Sequence, residues 1–276
     1  ILQFEKKNNI TFAESQKDAI ISAFQNGIEI ITGGPGTGKT TIIKCIIEIF
    51  ETCGLKVLLG APTGRAAKRM SESTGKEATT IHRMLDMGVF EKEESVFVTN
   101  AEEHSLEADV VIIDEASMID ITLMNALLKS IKVGTRLIIV GDVDQLPSVG
   151  AGNVLNDFIE SGFTKVVRLK EIFRQGKESM IVVNAHKINK GEMPKLNEKG
   201  TDFFFIRNDI QEGILNTIID LINTRLPKFN SNWDKLKSIQ VLVPMKKGVL
   251  GVTNLNERIQ NVLNPKAPYK KEKEFR

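Results

Sequence analysis

Residues 33–40 read Gly-Gly-Pro-Gly-Thr-Gly-Lys-Thr. The octet matches the phosphate-loop pattern G-x-x-x-x-G-K-[ST], and its flanks suit such a loop. A short apolar run (Ile28, Ile30, Ile31) precedes it, and an apolar helical stretch from Thr40 to Phe50 follows. Glycines let the backbone wrap a phosphate chain with its N–H groups pointing inward. The helix N-terminus behind the loop adds partial positive charge. Lys39 is expected to reach the β- and γ-phosphates, and the Thr40 hydroxyl to ligate Mg²⁺. The loop therefore implies a bound nucleoside triphosphate.

The rest of the chain continues the same alternation. Thr11-Phe-Ala-Glu14 reads as a capping box opening a helix to about Phe24. A strand at Lys56–Ala61 is followed by a helix at Gly64–Ser73 carrying Arg65, Lys68 and Arg69, then a short helix at Thr79–Leu85. Val110–Ile113 is a β-branched run of the kind buried in parallel sheets. A helix at 121–131 and a strand at Leu137–Val140 follow. The expected fold is α/β: a P-loop NTPase with a doubly wound parallel sheet. Within 86–109 a small β-hairpin is expected, from Val89-Phe90 and Val96-Phe97-Val98 around a charged turn. A break near Ser161-Gly162 is expected to divide the chain into a first domain at 1–165 and an incomplete second α/β domain at 166–276. In the latter, strands are expected at 166–169, Phe203–Ile206 and Gln240–Val243, and helices at 177–190, 210–225 and 252–263.

Two carboxylates, Asp114 and Glu115, end the Val110–Ile113 run, which places them at the sheet edge beside the phosphate loop. The first suits Mg²⁺ and the second suits accepting a proton from attacking water. The strand at Leu137–Val140 ends in Gly141-Asp142-Val143-Asp144-Gln145, where Gln145 is placed to sense the γ-phosphate. Arg174, in Leu169-Lys-Glu-Ile-Phe-Arg-Gln, reads as an arginine finger just past the expected break.

Composition narrows the partners. No stretch approaches the roughly 18 apolar residues of a membrane span, and the N-terminus, which starts at Ile1, has no signal-peptide pattern and reads as trimmed. Cys45 and Cys53 lie about 12 Å apart along one expected helix, so free thiols in a reducing cytoplasm are expected. The three scattered histidines lack metal-ligand spacing. Residues 1–165 carry 16 basic and 23 acidic side chains (−7), and residues 166–276 carry 21 and 12 (+9). A basic half beside an acidic one suits a polyanionic partner. No Asn-Lys-x-Asp guanine-reading motif is present, which argues against a regulatory GTPase.

Together these residues resemble the RecD-like branch of superfamily 1 DNA helicases, the 5′-to-3′ group that includes exodeoxyribonuclease V alpha-subunit-like chains. Gln16, in Glu14-Ser-Gln-Lys-Asp-Ala, resembles that family's adenine-reading glutamine. Residues 33–40 resemble motif I, Ala61-Pro-Thr-Gly-Arg-Ala-Ala67 motif Ia, and Thr80-Ile-His-Arg-Met-Leu85 motif Ib. Asp114-Glu-Ala-Ser117 resembles motif II, 141–149 motif III and 171–175 motif IV. Asn184–Gly191 and Val243–Gly248 resemble segments of the second RecA-like domain.

The resemblance implies ATP and Mg²⁺ as cofactors. Gly33, Gly34, Pro35, Gly36, Thr37, Gly38, Lys39, Thr40 and Thr41 would cradle the nucleotide, with Gln16 and Phe173 on adenine. Thr40 and Asp114 would hold the metal, Glu115 would act as base, and Gln145 and Arg174 would touch the γ-phosphate. Pro62, Thr63, Arg65 and His82 would meet single-stranded DNA, and the hairpin would separate strands. Expected partners are single-stranded DNA, duplex junctions, and a nuclease or single-strand-binding protein, with no membrane. The expected function is an ATP-driven motor that translocates and unwinds DNA in repair or recombination. The alternative is an ATP-gated DNA-binding or docking subunit of a helicase–nuclease complex. The resemblance stops before motifs V and VI, which implies a piece that hydrolyses ATP slowly and does not unwind DNA alone.

Overall fold

Alternate residues of a strand face opposite sides of a sheet, so an unbroken apolar run needs cover on both. The computed structural model, which describes residues 1–87, 105–171 and 179–265, meets that requirement. The strands are β1 (Ile28–Gly33), β2 (Val57–Ala61), β3 (Ala78–Thr80), β4 (Val110–Ile113), β5 (Arg136–Gly141) and β6 (Lys165–Leu169). They form one sheet in the order β3-β2-β4-β5-β1-β6, and every pairing is parallel.

On one face Ile31, Val110, Ile112, Ile138 and Val140 pack with Ile20, Ile42, Ile46 and Phe50. Those partners come from α2 (Glu14–Gln25) and α3 (Lys39–Thr52), with α1 (Leu2–Asn8) adding Phe4. On the other face Ile30, Val111, Ile113, Leu137 and Ile139 pack with Leu123, Leu127, Leu155 and Ile159. These belong to α6 (Ile121–Ser130) and α7 (Val154–Ser161). All four β4 residues are buried. The doubly wound α/β expectation therefore holds. The helices α4 (Gly64–Thr74) and α5 (Ile81–Met84) follow β2 and β3.

Local details depart from the reading of the sequence. Helix α2 is capped at Ala13, not Thr11: the Gln16 Oε1 accepts the Ala13 N–H at 3.0 Å. Phe12 is buried and stacks on Phe4 at 5.8 Å, and Glu5 Oε1 accepts its N–H at 2.7 Å, which holds this segment ahead of the helix. Gly162 is the left-handed cap that ends α7 (φ 65°) and marks no domain break. The expected boundary at 165/166 falls inside β6, whose Lys165 pairs with Glu29 of β1. The chain instead divides into compact units at Ile1–Phe203 and Phe204–Arg276. The first includes α8 (Met180–Asn189).

The second unit contains α9 (Gln211–Asp220), a π-helical turn at Leu221–Arg225, α10 (Leu226–Phe229) and α11 (Val252–Leu263). Leu215, Ile222 and Leu255 are its buried hydrophobic side chains among the described residues. Pro227 follows the π turn and brings no N–H to the helical ladder, a reason for the widened hydrogen bonding there. Segments 203–206 and 240–243 are not strands. Phe204, Phe205 and Leu242 are exposed, so neither segment gains the burial that holds an apolar strand in a sheet. The expected hairpin lies largely at 88–104, outside the described residues.

One buried acid sets a stability prediction. Glu29 on β1 is 1% exposed, and neither carboxylate oxygen has a hydrogen-bond partner among the described residues. Burial pushes its carboxyl from the ordinary 4.5 up to about 8, with the nearby Ser22 hydroxyl and Lys165 opposing the rise and Asp18 adding to it. The folded state thus holds this proton more tightly than the unfolded chain does. Its contribution is complete below pH 4.5 and is lost as pH rises through about 8. At pH 7 the cost is roughly 3 kcal/mol. Urea denaturation at pH 5 and pH 8 is expected to show Glu29→Gln more stable than the parent chain, by a margin that widens with pH. Parallel pH profiles for the two would contradict this account.

Candidate active site

The phosphate loop leaves β1 at Gly33 and enters α3 at Lys39. Gly36 (φ 78°) and Gly38 (φ 82°) adopt left-handed backbone that L side chains rarely take, which explains two of the loop's glycines. Helix α3 begins with Lys39 and Thr40, and the Thr41 N–H already donates to the Gly38 carbonyl at 3.0 Å. The Thr37 hydroxyl donates to the Gly34 carbonyl at 2.8 Å. Gln16 Nε2 donates to the Thr37 carbonyl at 2.9 Å, so the buried Gln16 amide ties the start of α2 to the loop. Lys39 Nζ donates to the Gly33 carbonyl and, at 3.1 Å, to the Gly34 carbonyl.

Two further strand ends meet the loop. After β4, Glu115 takes a left-handed conformation (φ 55°, ψ 40°), a strained choice for a non-glycine residue. Its N–H donates to Asp114 Oδ1 at 2.8 Å. Gly141 at the end of β5 allows this turn to close. A Cβ there would stand 3.2 Å from the Ala116 nitrogen and 2.8 Å from Leu155 Cδ2. Burial raises the Asp114 carboxyl above the usual aspartate range. The Glu115 N–H opposes that rise, the Glu115 charge adds to it, and Lys39 and Arg69 oppose it. After β5, buried Asp142 builds a turn: its carboxylate accepts the Asp144 N–H at 3.1 Å and its carbonyl the Gln145 N–H at 3.1 Å. Thr32 of β1 accepts the Val143 N–H at 3.2 Å, tying the Gln145 turn to the strand that carries the loop.

The result is a cleft of about 400 Å³ lined by Pro35, Gly36, Lys39, Thr40, Asp114, Glu115 and Gln145, together with Ala66, Arg69, Met70 and Ser73 of α4. Of the expected nucleotide residues, Gln16, Gly33, Gly34, Thr37, Gly38 and Thr41 are in or beside the loop but do not line this cleft. Phe173 and Arg174 lie outside the described residues. Arg69 was missed as a site residue, although it stands one helical turn beyond Arg65, on the same face. The expected DNA residues share one sheet edge. Pro62, Thr63 and Arg65 follow β2, His82 follows β3, and these strands are neighbours with Ala61 opposite Thr80. Thr63 Oγ1 also caps α4, accepting the Ala66 N–H at 3.2 Å.

A carboxylate kept in a buried setting that disfavours its charge, beside a hydroxyl and a lysine in one cleft, is a donor set that fits a divalent cation bound with phosphates. Among the described residues there is no cluster of three or more histidine, cysteine, aspartate or glutamate ligands. Such a cation would draw part of its coordination from the phosphates and water.

Residues 16–151 match the AAA domain family. The ATP-dependent RecD2 DNA helicase of Deinococcus radiodurans is 35% identical over 260 residues, 94% of this chain and 34% of that protein. The chain is a homologue of the RecD-like helicases. The RecD subunit of the Mycolicibacterium smegmatis RecBCD enzyme is 37% identical over 187 residues, 59% of this chain and 33% of that one. This RecD-like chain spans about a third of the length of these curated relatives. The crystal structure of the Pif1 helicase from Candida albicans aligns with a TM-score of 0.51 at 24% identity, over 67% of this chain and 45% of that one, a likeness of fold. No helix among the described residues is long and apolar enough to cross a membrane.

Proposed function

We propose that this chain is the ATP-hydrolysing part of a 5′-to-3′ DNA helicase that translocates on single-stranded DNA and opens duplex junctions in repair or recombination. The observation that carries this reading is the single cleft in which Lys39, Thr40, Asp114, Glu115 and Gln145 converge from three strand ends. The names of the relatives, an ATP-dependent DNA helicase and a RecBCD subunit, support the same class.

In this reading Lys39 exchanges the Gly33 and Gly34 carbonyls for the β- and γ-phosphates of ATP, and Thr40 and Asp114 would hold the metal. Mg²⁺, when bound, neutralises charge on the phosphate oxygens. Glu115 takes a proton from the water that attacks the γ-phosphorus as the bond to the bridging oxygen breaks. Gln145 orients that water, and Arg174 stabilises the charge that develops. Gln16 and Phe173 hold the adenine side. Pro62, Thr63, Arg65 and His82 contact the DNA backbone, so binding is salt-dependent and largely blind to sequence. The unit at Phe204–Arg276 begins the second lobe of the motor. The setting is the cytoplasm, in keeping with the free Cys45 and Cys53.

Unwinding by the full-length protein is the test. A duplex with a 5′ single-stranded tail is expected to be opened with Mg²⁺ and ATP, and one with a 3′ tail is not. ATP-dependent DNA binding without unwinding of either would favour the docking subunit of a helicase–nuclease assembly.

A further inference from the structure

His186 lies against the phosphate loop, and the nucleotide chemistry described above does not use it. A Cβ on buried Gly34 would stand 2.8 Å from His186 Cε1 and 3.5 Å from Nε2, so the second loop glycine makes room for this imidazole. Nε2 is sealed from solvent and has no hydrogen-bond partner among the described residues. A buried ring nitrogen in that state costs free energy unless a partner arrives.

The helix that carries His186 is firmly held. Asp202 Oδ1 accepts the Met180 N–H at 2.7 Å and the Ile181 N–H at 3.2 Å at the start of α8, where Ser179 also donates to Asp202. Two residues before His186, the fully buried Asn184 accepts the Lys195 N–H and donates to the Lys195 carbonyl, both at 2.8 Å. The backbone that carries the imidazole is thus held beside the loop, while no hydrogen bond fixes the ring itself among the described residues. The end of the loop that it touches is also identifiable. Lys39 Nζ rests on the Gly33 and Gly34 carbonyls, and that ammonium is the group expected to grip the terminal phosphates.

We propose that His186 Nε2 donates a hydrogen bond to the terminal phosphate of bound ATP, making α8 the element that distinguishes triphosphate from diphosphate. The inference rests on the ATP-binding reading of the cleft. Its test is equilibrium binding of a non-hydrolysable ATP analogue and of ADP, each with Mg²⁺, to the full-length protein and its variants. His186→Ala is expected to weaken the ATP analogue roughly 10–100-fold, the worth of one hydrogen bond to a charged group, and to leave ADP within about twofold. His186→Gln, which keeps a donor, is expected to recover most of that loss. Retained ADP binding reports that the variant is folded. Equal losses for both nucleotides, or no loss for either, would overturn the proposal. Lys39→Ala separates the two failures: if the parent binds both nucleotides and Lys39→Ala binds neither tightly, the cleft reading stands and His186 is judged alone. A parent protein that binds neither nucleotide would overturn both.

Discussion

Glu115→Gln in the full-length protein is expected to cut ATP turnover by about 10²–10⁴, the usual worth of a positioned general base, while Mg²⁺–ATP binding stays within a few-fold of the parent. The substitution keeps size and shape, so the left-handed backbone at 115 and the N–H bond to Asp114 persist. Only proton acceptance is removed. Asp114 is a different case: its carboxylate is the metal-facing group of this account, and its loss should weaken Mg²⁺–ATP binding itself. Turnover and equilibrium binding measured side by side separate the roles. A Glu115→Gln protein that hydrolyses ATP at the parental rate would remove Glu115 from the chemistry.

Arg174→Ala is expected to reduce turnover further, by about 10³–10⁵, the range observed for arginine fingers. Arg174 itself, within 172–178, lies outside the described residues. Among the described residues, β6 pairs with β1 beside the phosphate loop and α8 begins at Met180. Single-turnover hydrolysis is the measurement, since it reads chemistry apart from product release. ATP binding should survive with a modest loss. Parental single-turnover rates in Arg174→Ala would assign that residue to a surface role.

The parts of the fold legible in the sequence are those with a local signature. The loop octet fixes strand, turn and helix by backbone chemistry alone, and the apolar runs at 110–113 and 137–140 announce strands covered on both faces. Asp114, Glu115 and Gln145 could be placed in the site because each follows such a run. Other features were settled by long-range contacts that no local pattern records. Thr11 lost the α2 cap because Phe12 is drawn onto Phe4 and Glu5. Residues 166–169 looked like the start of a new lobe but belong to β6, which completes the first sheet beside β1. Apolar 203–206 and 240–243 resembled strands, yet Phe204, Phe205 and Leu242 stay exposed and neither segment is a strand. Arg69 and His186 reach the loop region from helices distant in sequence, and the room for His186 exists only because residue 34 has no side chain.

The central claim is that the cleft hydrolyses ATP in response to DNA. The direct measurement is the steady-state ATPase rate of the full-length protein, with and without single-stranded DNA, beside Lys39→Ala. Strong stimulation by DNA in the parent, with Lys39→Ala inactive under both conditions, is the predicted result. An ATPase rate that DNA leaves unchanged, or one that survives Lys39→Ala, would contradict the account.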